Sequence, residues 1–182
     1  MKKIVTKVRL HGRDEFEDKL ARAGYDFGPI YWQHDRIYLP RGYRRGQGFP
    51  IFVMRTEMKA VDRPPKYFLI LRRHIDDIDI ELEFVTVVKD YLEAVEIVKQ
   101  LGFELDVEVS RKRQELKLKN GRTLYLDDIE GLSGFFAKVE ASLADSDVVE
   151  KKRLECEEVF RKFEERNFYE QTYAELLRTK NS

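Results

Sequence analysis

The sequence predicts an α+β fold in which an eight-stranded antiparallel sheet curls into a β-barrel with flanking helices. Three observations support this prediction. About eight segments alternate apolar and polar residues with the period of two that is typical of strands. Helical patterns follow only the first and fifth strands and the end of the strand set, which favours antiparallel neighbours over βαβ units. Several strands also carry ionisable residues on one face, and a closed barrel gives such a face an interior to line.

Length and composition indicate one globular domain. The chain has 182 residues, of which 42% are hydrophobic and 37% charged, values that argue against both a disordered chain and a membrane protein. Lysine and arginine number 34, as do aspartate and glutamate, so the net charge predicts neither a nucleic-acid nor a membrane partner. The single cysteine, Cys156, is typical of a reducing, cytoplasmic setting.

We therefore expect a single domain over residues 1–182, with the strands and two helices in 2–142 and C-terminal helices in 145–178. In the first half, residues 2–10 form a strand, and "GRDEFEDKLARAG" predicts a helix that Asp14 can cap. Four further strands are predicted at "PIYWQHDRIYL", "IFVMRTEM", "KYFLILRR" and "IDIELEFVTV". A basic loop that contains Arg44 and Arg45 separates the first two of these.

The second half begins with the helix "DYLEAVEIVKQLG", whose apolar residues share a face and which Gly102 ends. The segments "FELDVEVSRKRQELKL" and "RTLYLDDI" are strands joined by a hairpin at Asn120-Gly121, a pair that favours tight turns. "FFAKVEAS" is the last strand. A long charged helix over 145–166 and a short one over 170–178 complete the chain.

Seven strands share a face of ionisable residues. Its cations are Lys3, Lys7, Arg9, Arg55, Arg72, Arg111, Arg113 and Lys138, and its acids are Asp79, Glu81, Glu83, Glu115, Asp127 and Glu140. For any one strand such a face is explained by exposure to water, but seven together indicate a charged lumen. Clustered arginines and lysines suit phosphate oxygens. Clustered carboxylates suit Mg²⁺ or Mn²⁺, which bridge polyphosphates to proteins.

Several segments resemble motifs of the CYTH family, the triphosphate tunnel metalloenzymes, which include class IV adenylyl cyclases, thiamine triphosphatases and inorganic triphosphatases. "YWQHDRIYL" resembles the strand Q-x-D-x-Y-[YF], "IELEF" the strand E-x-E, and "VSRKRQEL" the basic strand [KR]-x-[KR]. "LYLDDIEGLSGFFAKVE" resembles L-D-x-V-x-G-L-G-x-F-x-E-I-E with one extra residue, and "TYAELL" resembles S-Y-x-x-L-L. The resemblance spans roughly residues 2–177.

This resemblance implies an eight-stranded tunnel that binds a triphosphate or nucleoside triphosphate with Mg²⁺ or Mn²⁺, for adenylyl-cyclase-like or triphosphatase-like chemistry. Together with the charged faces, it predicts phosphate contacts from Lys7, Arg9, Arg55, Arg72, Arg111 and Arg113. It also predicts metal contacts from Glu81, Glu83, Asp127 and Glu140.

The chain departs from the family at the metal site. The signature E-x-E-x-K is "KIVTK" here, with Lys3 and Val5 at the two glutamate positions, and Lys138 replaces the first glutamate of E-I-E. Val53 also replaces the first arginine of the family strand L-R-I-R. An ammonium has no lone pair to donate. At about 4 Å it would also repel a cation by roughly 4 kcal/mol at an effective dielectric of about 20. We therefore expect weakened or lost metal binding beside retained phosphate binding.

Three functions stay open at this point. The chain is an active metal-dependent triphosphatase or cyclase, a metal-free relative that binds a phosphorylated or other anionic ligand, or a module whose new lysines pair with glutamates in a structural polar core. A small molecule that bears a triphosphate is the expected partner, and a homodimer through the helix at 145–166 is an open alternative.

Overall fold

The computed structural model describes residues 1–43, 50–60, 62–74, 80–119 and 121–181. This part of the chain contains eight strands and four helices: β1 (Lys2–Arg9), α1 (Arg13–Arg22), β2 (Tyr31–Pro40), β3 (Ile51–Met58), β4 (Lys66–His74), β5 (Ile80–Val88), α2 (Tyr91–Gln100), β6 (Phe103–Lys117), β7 (Thr123–Ile129), β8 (Phe136–Ser142), α3 (Val149–Arg161) and α4 (Tyr173–Asn181). The expectations for Arg44, Arg45, Asp79 and Asn120 lie outside the described residues.

The strands form a closed antiparallel barrel in the order β1-β5-β4-β3-β2-β6-β7-β8. The first strand closes the barrel because it pairs on both sides, with β5 through Lys3 opposite Glu81 and with β8 through Lys7 opposite Lys138. Successive side chains of a strand point to opposite faces, so every strand has one face inside the barrel and one outside. The predicted α+β barrel is therefore confirmed.

Helices cover apolar side chains on the outside of the barrel. Helices α1 and α3 pack over β1, β7 and β8, in a core that contains Ile4, Val8, Phe16, Leu20, Leu124, Val139, Cys156 and Phe160, all of them buried. On another side, Ala94, Val95 and Val98 of α2 pack on Tyr38 and Met54. These outer cores bury the apolar faces of the strands and leave the opposite faces to line the barrel interior.

The interior itself has an apolar layer, and α4 closes over it. Six side chains form this layer, one from each of six strands: Ile37, Val53, Ile70, Val109, Ile129 and Phe136. Tyr173, Ala174 and Leu177 of α4 pack against them. Each of the six lies two positions from a charged residue of the same strand face, so the apolar layer is the next layer after the charged one.

The helix bounds differ from the sequence-based prediction in three places. Helix α1 begins after Gly12 without a side-chain capping bond, so Asp14 lies in its first turn and does not cap it. Helix α3 is shorter than predicted because the chain turns at Glu164, whose φ is 66°. Helix α4 begins at Tyr173 because Thr172 Oγ1 accepts from Glu175 N at 3.2 Å, and Glu175 Oε2 accepts from Thr172 N at 2.8 Å. No helix within the described ranges is long and apolar enough to cross a membrane.

The outer core makes a direct prediction for stability. Replacing the fully buried Phe160 with alanine should lower the free energy of unfolding by about 3–5 kcal/mol, because a large cavity opens under α3. The matched control is Leu154→Ala on the same helix, whose side chain is exposed and whose loss should change stability by less than about 0.5 kcal/mol. Urea unfolding measures both values, and equal losses for the two variants would contradict the assignment of the core.

Candidate functional site

Charged side chains from all eight strands meet inside the barrel and form what we call the ionic layer. Its members are Lys3, Asp35, Arg55, Arg72, Glu81, Glu83, Arg111, Arg113, Asp127, Lys138 and Glu140. Each takes part in at least one ion pair with another member. Charges removed from water are costly unless they are paired and hydrogen-bonded, so the pairing explains how a barrel of this size holds them.

Three carboxylates converge on the ammonium of Lys3. Its Nζ atom lies 2.7 Å from Glu83 Oε2, 3.3 Å from Glu140 Oε1 and 3.6 Å from Glu81 Oε2. The Lys3 side chain is only 6% exposed. Burial disfavours the charged form, but the three carboxylates outweigh burial and raise the pKa of Lys3 above its usual value. The ammonium is therefore held in its charged form.

Arg72 holds two of the same carboxylates from the neighbouring strand. Its Nη2 donates to Glu83 Oε1 at 3.0 Å, and its Nε lies 3.5 Å from Glu81 Oε2. Burial alone would raise the pKa of the Glu83 carboxyl, but Arg72 and Lys3 together lower it to about 2. Both acidic positions of β5 are thus neutralised by side chains of the same chain.

Lys138 is the second lysine at a position where the CYTH motif that the sequence resembles has a glutamate. Its Nζ donates to Glu140 Oε1 at 2.5 Å and lies 4.8 Å from the centroid of the Tyr125 ring. Burial lowers the pKa of Lys138 to about 7, with Arg113 and Lys3 adding to the effect against the opposing Glu140. The Lys138 ammonium therefore loses its proton at a much lower pH than a lysine in water does.

Two arginines share one aspartate on the other side of the layer. Arg55 donates to both Asp35 oxygens, at 2.7 and 2.9 Å, and Arg111 Nη2 also donates to Asp35 Oδ2. Arg111 Nε donates to Gln33 Oε1 at 3.1 Å. Burial lowers the pKa of Arg111, and the nearby Arg113 and Arg55 lower it further, whereas Asp35 opposes them. Arg111 is thus a buried cation whose attractive partner is already engaged by a second cation.

Arg113 and Asp127 form a bidentate ion pair in the same layer. Arg113 Nε and Nη2 each donate to Asp127 at 2.6 Å, and the Tyr173 hydroxyl donates to Asp127 Oδ2 at 2.8 Å. Asp127 is fully buried and Arg113 nearly so. Burial alone would raise the pKa of Asp127, but Arg113 holds it below its usual value. Tyr173 belongs to α4, so this pair also ties the C-terminal helix to the ionic layer.

Two of the six predicted phosphate contacts lie apart from the other four. Lys7 and Arg9 share a strand face with Lys3, but they lie toward the end that the C-terminal segment covers. Lys7 Nζ donates to the Glu170 and Gln171 carbonyls at 2.7 and 3.1 Å. Arg9 Nη2 donates to the Ser133 carbonyl and hydroxyl at 2.8 and 3.0 Å. The four arginines meet in the ionic layer, and these two cations contact connecting segments instead.

The acidic residues predicted to bind metal are also not all brought together. Glu81, Glu83 and Glu140 surround Lys3 Nζ, whereas Asp127 is engaged by Arg113 and Tyr173. Within the described ranges, no group of three histidine, cysteine, aspartate or glutamate residues has a geometry that could hold a metal ion. The centre of the three carboxylates is filled by an ammonium. Mg²⁺ or Mn²⁺ therefore does not fit this arrangement of side chains.

Sequence reasoning gave no site role to two members of this network, Asp35 and Tyr173. Asp35 follows Gln33 on the same face of β2, and both lie in the segment "YWQHDRIYL". Tyr173 lies in "TYAELL", near the C-terminus. Both residues therefore lie in segments that resemble CYTH motifs, and this resemblance could have indicated a role for them in the site.

No family model and no curated protein matches the sequence. Solved structures do match over nearly the whole chain. The PH1819 protein from Pyrococcus horikoshii is 22% identical, with a TM-score of 0.83 over 98% of this chain and 99% of that one.

Two further matches are structures of proposed cyclases. One from Vibrio parahaemolyticus is 16% identical, with a TM-score of 0.79 over 97% of each chain. The other is HpAC1 from Hippeastrum, a proposed adenylyl cyclase with a dominant triphosphatase activity. It is 14% identical, with a TM-score of 0.65 over 98% of this chain and 96% of that one. The chain thus has the fold of these proteins, and the fold expected from the CYTH-like motifs is confirmed.

The bidentate pair predicts a strong asymmetry between single and double variants. Asp127→Asn should destabilise the protein by about 3–5 kcal/mol, because it leaves the buried Arg113 guanidinium without its countercharge. The double variant Arg113→Met/Asp127→Leu removes both charges and should cost less than the single one. Urea unfolding of the three proteins measures the difference, and a double variant at least as damaged as the single would refute this account.

Lys138 predicts a pH dependence of stability. Its pKa is lower in the folded state than the ordinary value of 10.5, so between about pH 7 and 10.5 the folded state binds fewer protons than the unfolded state. Stability should therefore rise with pH in this range, by at most about 1.4 kcal/mol per pH unit.

The measurement is chemical unfolding between pH 7 and 8, a range that stays below both the ordinary thiol pKa of 9.0 in the unfolded state and the raised pKa of Cys156 in the folded state. Lys138→Met should abolish most of the rise, whereas Lys112→Met, which removes an exposed lysine from the outer face of β6, should keep it. A slope in Lys138→Met equal to that of the unaltered protein would show that another group titrates.

Proposed function

We propose that the lumen binds the phosphate chain of a triphosphate-bearing small molecule, such as a nucleoside triphosphate or inorganic triphosphate. The observation that carries this proposal is the position of Arg111. Its guanidinium is buried, it shares Asp35 with Arg55, and its pKa is lowered. A buried cation in this position is stabilised by an anion that enters the lumen.

The charges around Arg111 support an anionic ligand. Arg55, Arg111 and Arg113 pair with two carboxylates, those of Asp35 and Asp127. This group of five side chains therefore has one more positive than negative charge. An uncompensated buried charge is costly, and a bound anion removes that cost.

The kind of cation favours phosphate over other anions. A guanidinium presents planar, paired N–H donors that match two oxygens of one phosphate. Arg72 adds a buried Nε that makes no hydrogen bond within the described ranges, although the Glu81 carboxylate lies 3.5 Å away. Four arginines from three strands, β3, β4 and β6, thus line one lumen, and a chain of several phosphates can contact more than one of them.

The activities named for the similar structures suggest what could follow binding. A triphosphatase directs water to the terminal phosphorus and releases phosphate. An adenylyl cyclase directs the ribose 3′-hydroxyl to the α-phosphorus and releases pyrophosphate. Both displacements depend mainly on positioning and on neutralising negative charge, which the lumen cations supply.

A second candidate function is a purely structural polar core. It is favoured by the fact that Asp35, Asp127 and the three glutamates around Lys3 are already ion-paired within the chain. In that case no anion needs to enter. The two candidates differ in whether an anion binds in the lumen, and this can be measured directly.

Isothermal titration with tripolyphosphate in the presence of EDTA distinguishes them. We expect one binding site per chain. Arg111→Met should weaken binding about 10- to 100-fold, the usual effect of losing a charged hydrogen bond. It should also leave the protein folded, because Asp35 keeps Arg55. The matched control is Lys112→Met, since Lys112 is the next residue along β6 and points outward.

The titration can overturn the proposal in two ways. No heat with tripolyphosphate, ATP or any other phosphorylated anion would establish the polar core instead. Equal binding by Arg111→Met and the unaltered protein would place the anion outside the lumen. Release of phosphate or cyclic AMP, followed in the same preparations with and without Mn²⁺, shows whether a bound triphosphate is turned over.

A further inference from the structure

The environment of Lys3 differs from that of an ordinary ion pair. One ammonium lies within 3.6 Å of three carboxylates, which come from two strands on either side of β1. An ammonium has three N–H donors and no acceptor, so its bonding capacity matches three carboxylate partners. The side chain is almost completely buried, and water therefore does not compete effectively for these donors.

Three carboxylates this close together require positive charge between them. Without it they would repel one another, and at least one would take up a proton. In proteins this positive charge is commonly a divalent metal ion, which takes oxygen ligands from several carboxylates. Here the chain supplies it from one of its own side chains, the ammonium of Lys3.

The charge balance of this cluster leaves no deficit for a metal ion to fill. When Lys138 is protonated, Lys3, Arg72 and Lys138 provide three positive charges, and Glu81, Glu83 and Glu140 provide three negative ones. A divalent cation added to this cluster would leave two uncompensated positive charges in a buried space. Lys3 Nζ also fills the position between the carboxylates that such an ion would need.

We propose that Lys3 is a tethered replacement for a divalent cation. Its ammonium holds the carboxylates of β5 and β8 together and supplies the positive charge that a metal ion would otherwise bring. This proposal rests on the proposed function and adds that the lumen binds its phosphorylated anion without a metal ion. The class of ligand is then the free triphosphate anion rather than its magnesium complex.

The inference about the metal can be tested without any anionic ligand. Mn²⁺ alone is added to the purified chain, and bound Mn²⁺ is counted by electron paramagnetic resonance. The unaltered protein should hold less than one-tenth equivalent when Mn²⁺ and protein are both at about 100 μM. Lys3→Met removes the ammonium and opens the space between the carboxylates, so it should bind close to one equivalent.

The matched control is Lys2→Met, which removes the lysine that immediately precedes Lys3 on the same strand. It should behave like the unaltered protein. One equivalent of Mn²⁺ bound by the unaltered protein, and lost in Glu83→Gln, would overturn the inference. Failure of a folded Lys3→Met protein to bind Mn²⁺ would overturn it as well.

If Lys3→Met does not fold, the unaltered protein still decides the question. A ligand that binds the folded state raises the melting temperature. Millimolar Mn²⁺ should therefore leave the melting temperature within about 1 °C of its value in EDTA, and a rise of several degrees that Glu83→Gln removes would overturn the inference. Failure of tripolyphosphate to bind, with these metal results intact, would refute the proposed function and leave the role of Lys3 standing.

Discussion

Mutual neutralisation of charge inside the barrel is the constraint on which the rest of this structure depends. The ionic layer places eleven charged side chains where water is scarce, and each needs a partner at hydrogen-bonding distance. An open sheet would leave the charges of its edge strands in water. Closure of β1 onto both β5 and β8 brings Lys3 to carboxylates on both sides, so the chain topology and the ion pairs require each other.

The apolar parts of the molecule provide the stability that the buried charges do not. The outer cores under α1, α2 and α3 supply the burial that stabilises the fold, because ion pairs in a dry interior gain little net free energy. The apolar layer and α4 then close one end of the barrel. Tyr173 joins the two functions, since its ring packs on Phe136 at 5.6 Å between centroids and its hydroxyl binds Asp127. The C-terminal helix is thus part of the site as well as its cover.

The sequence predicts more of the fold than of the site. Period-two alternation identifies the strands and assigns Lys3, Lys7 and Arg9 to one face, as observed. Alternation does not reveal how far along the barrel each residue lies, and Lys7 and Arg9 contact connecting segments for that reason. Alternation also does not reveal which charged residues form ion pairs, because this depends on which strands become neighbours. Asp35 is the only acid on its strand, so nothing in the local pattern indicates that two arginines converge on it.

Lys3 and Lys138, the two lysines at glutamate positions of the CYTH motifs that the sequence resembles, are best explained together. If positions 3 and 138 were glutamates, the cluster would contain five carboxylates and a single guanidinium, that of Arg72. Its four excess negative charges would require divalent cations to become neutral. With lysine at both positions and Lys138 protonated, three cations balance three carboxylates within the chain. One lysine alone would leave the cluster negative and still attractive to a metal ion. Both lysines are therefore needed to neutralise the cluster without a metal ion.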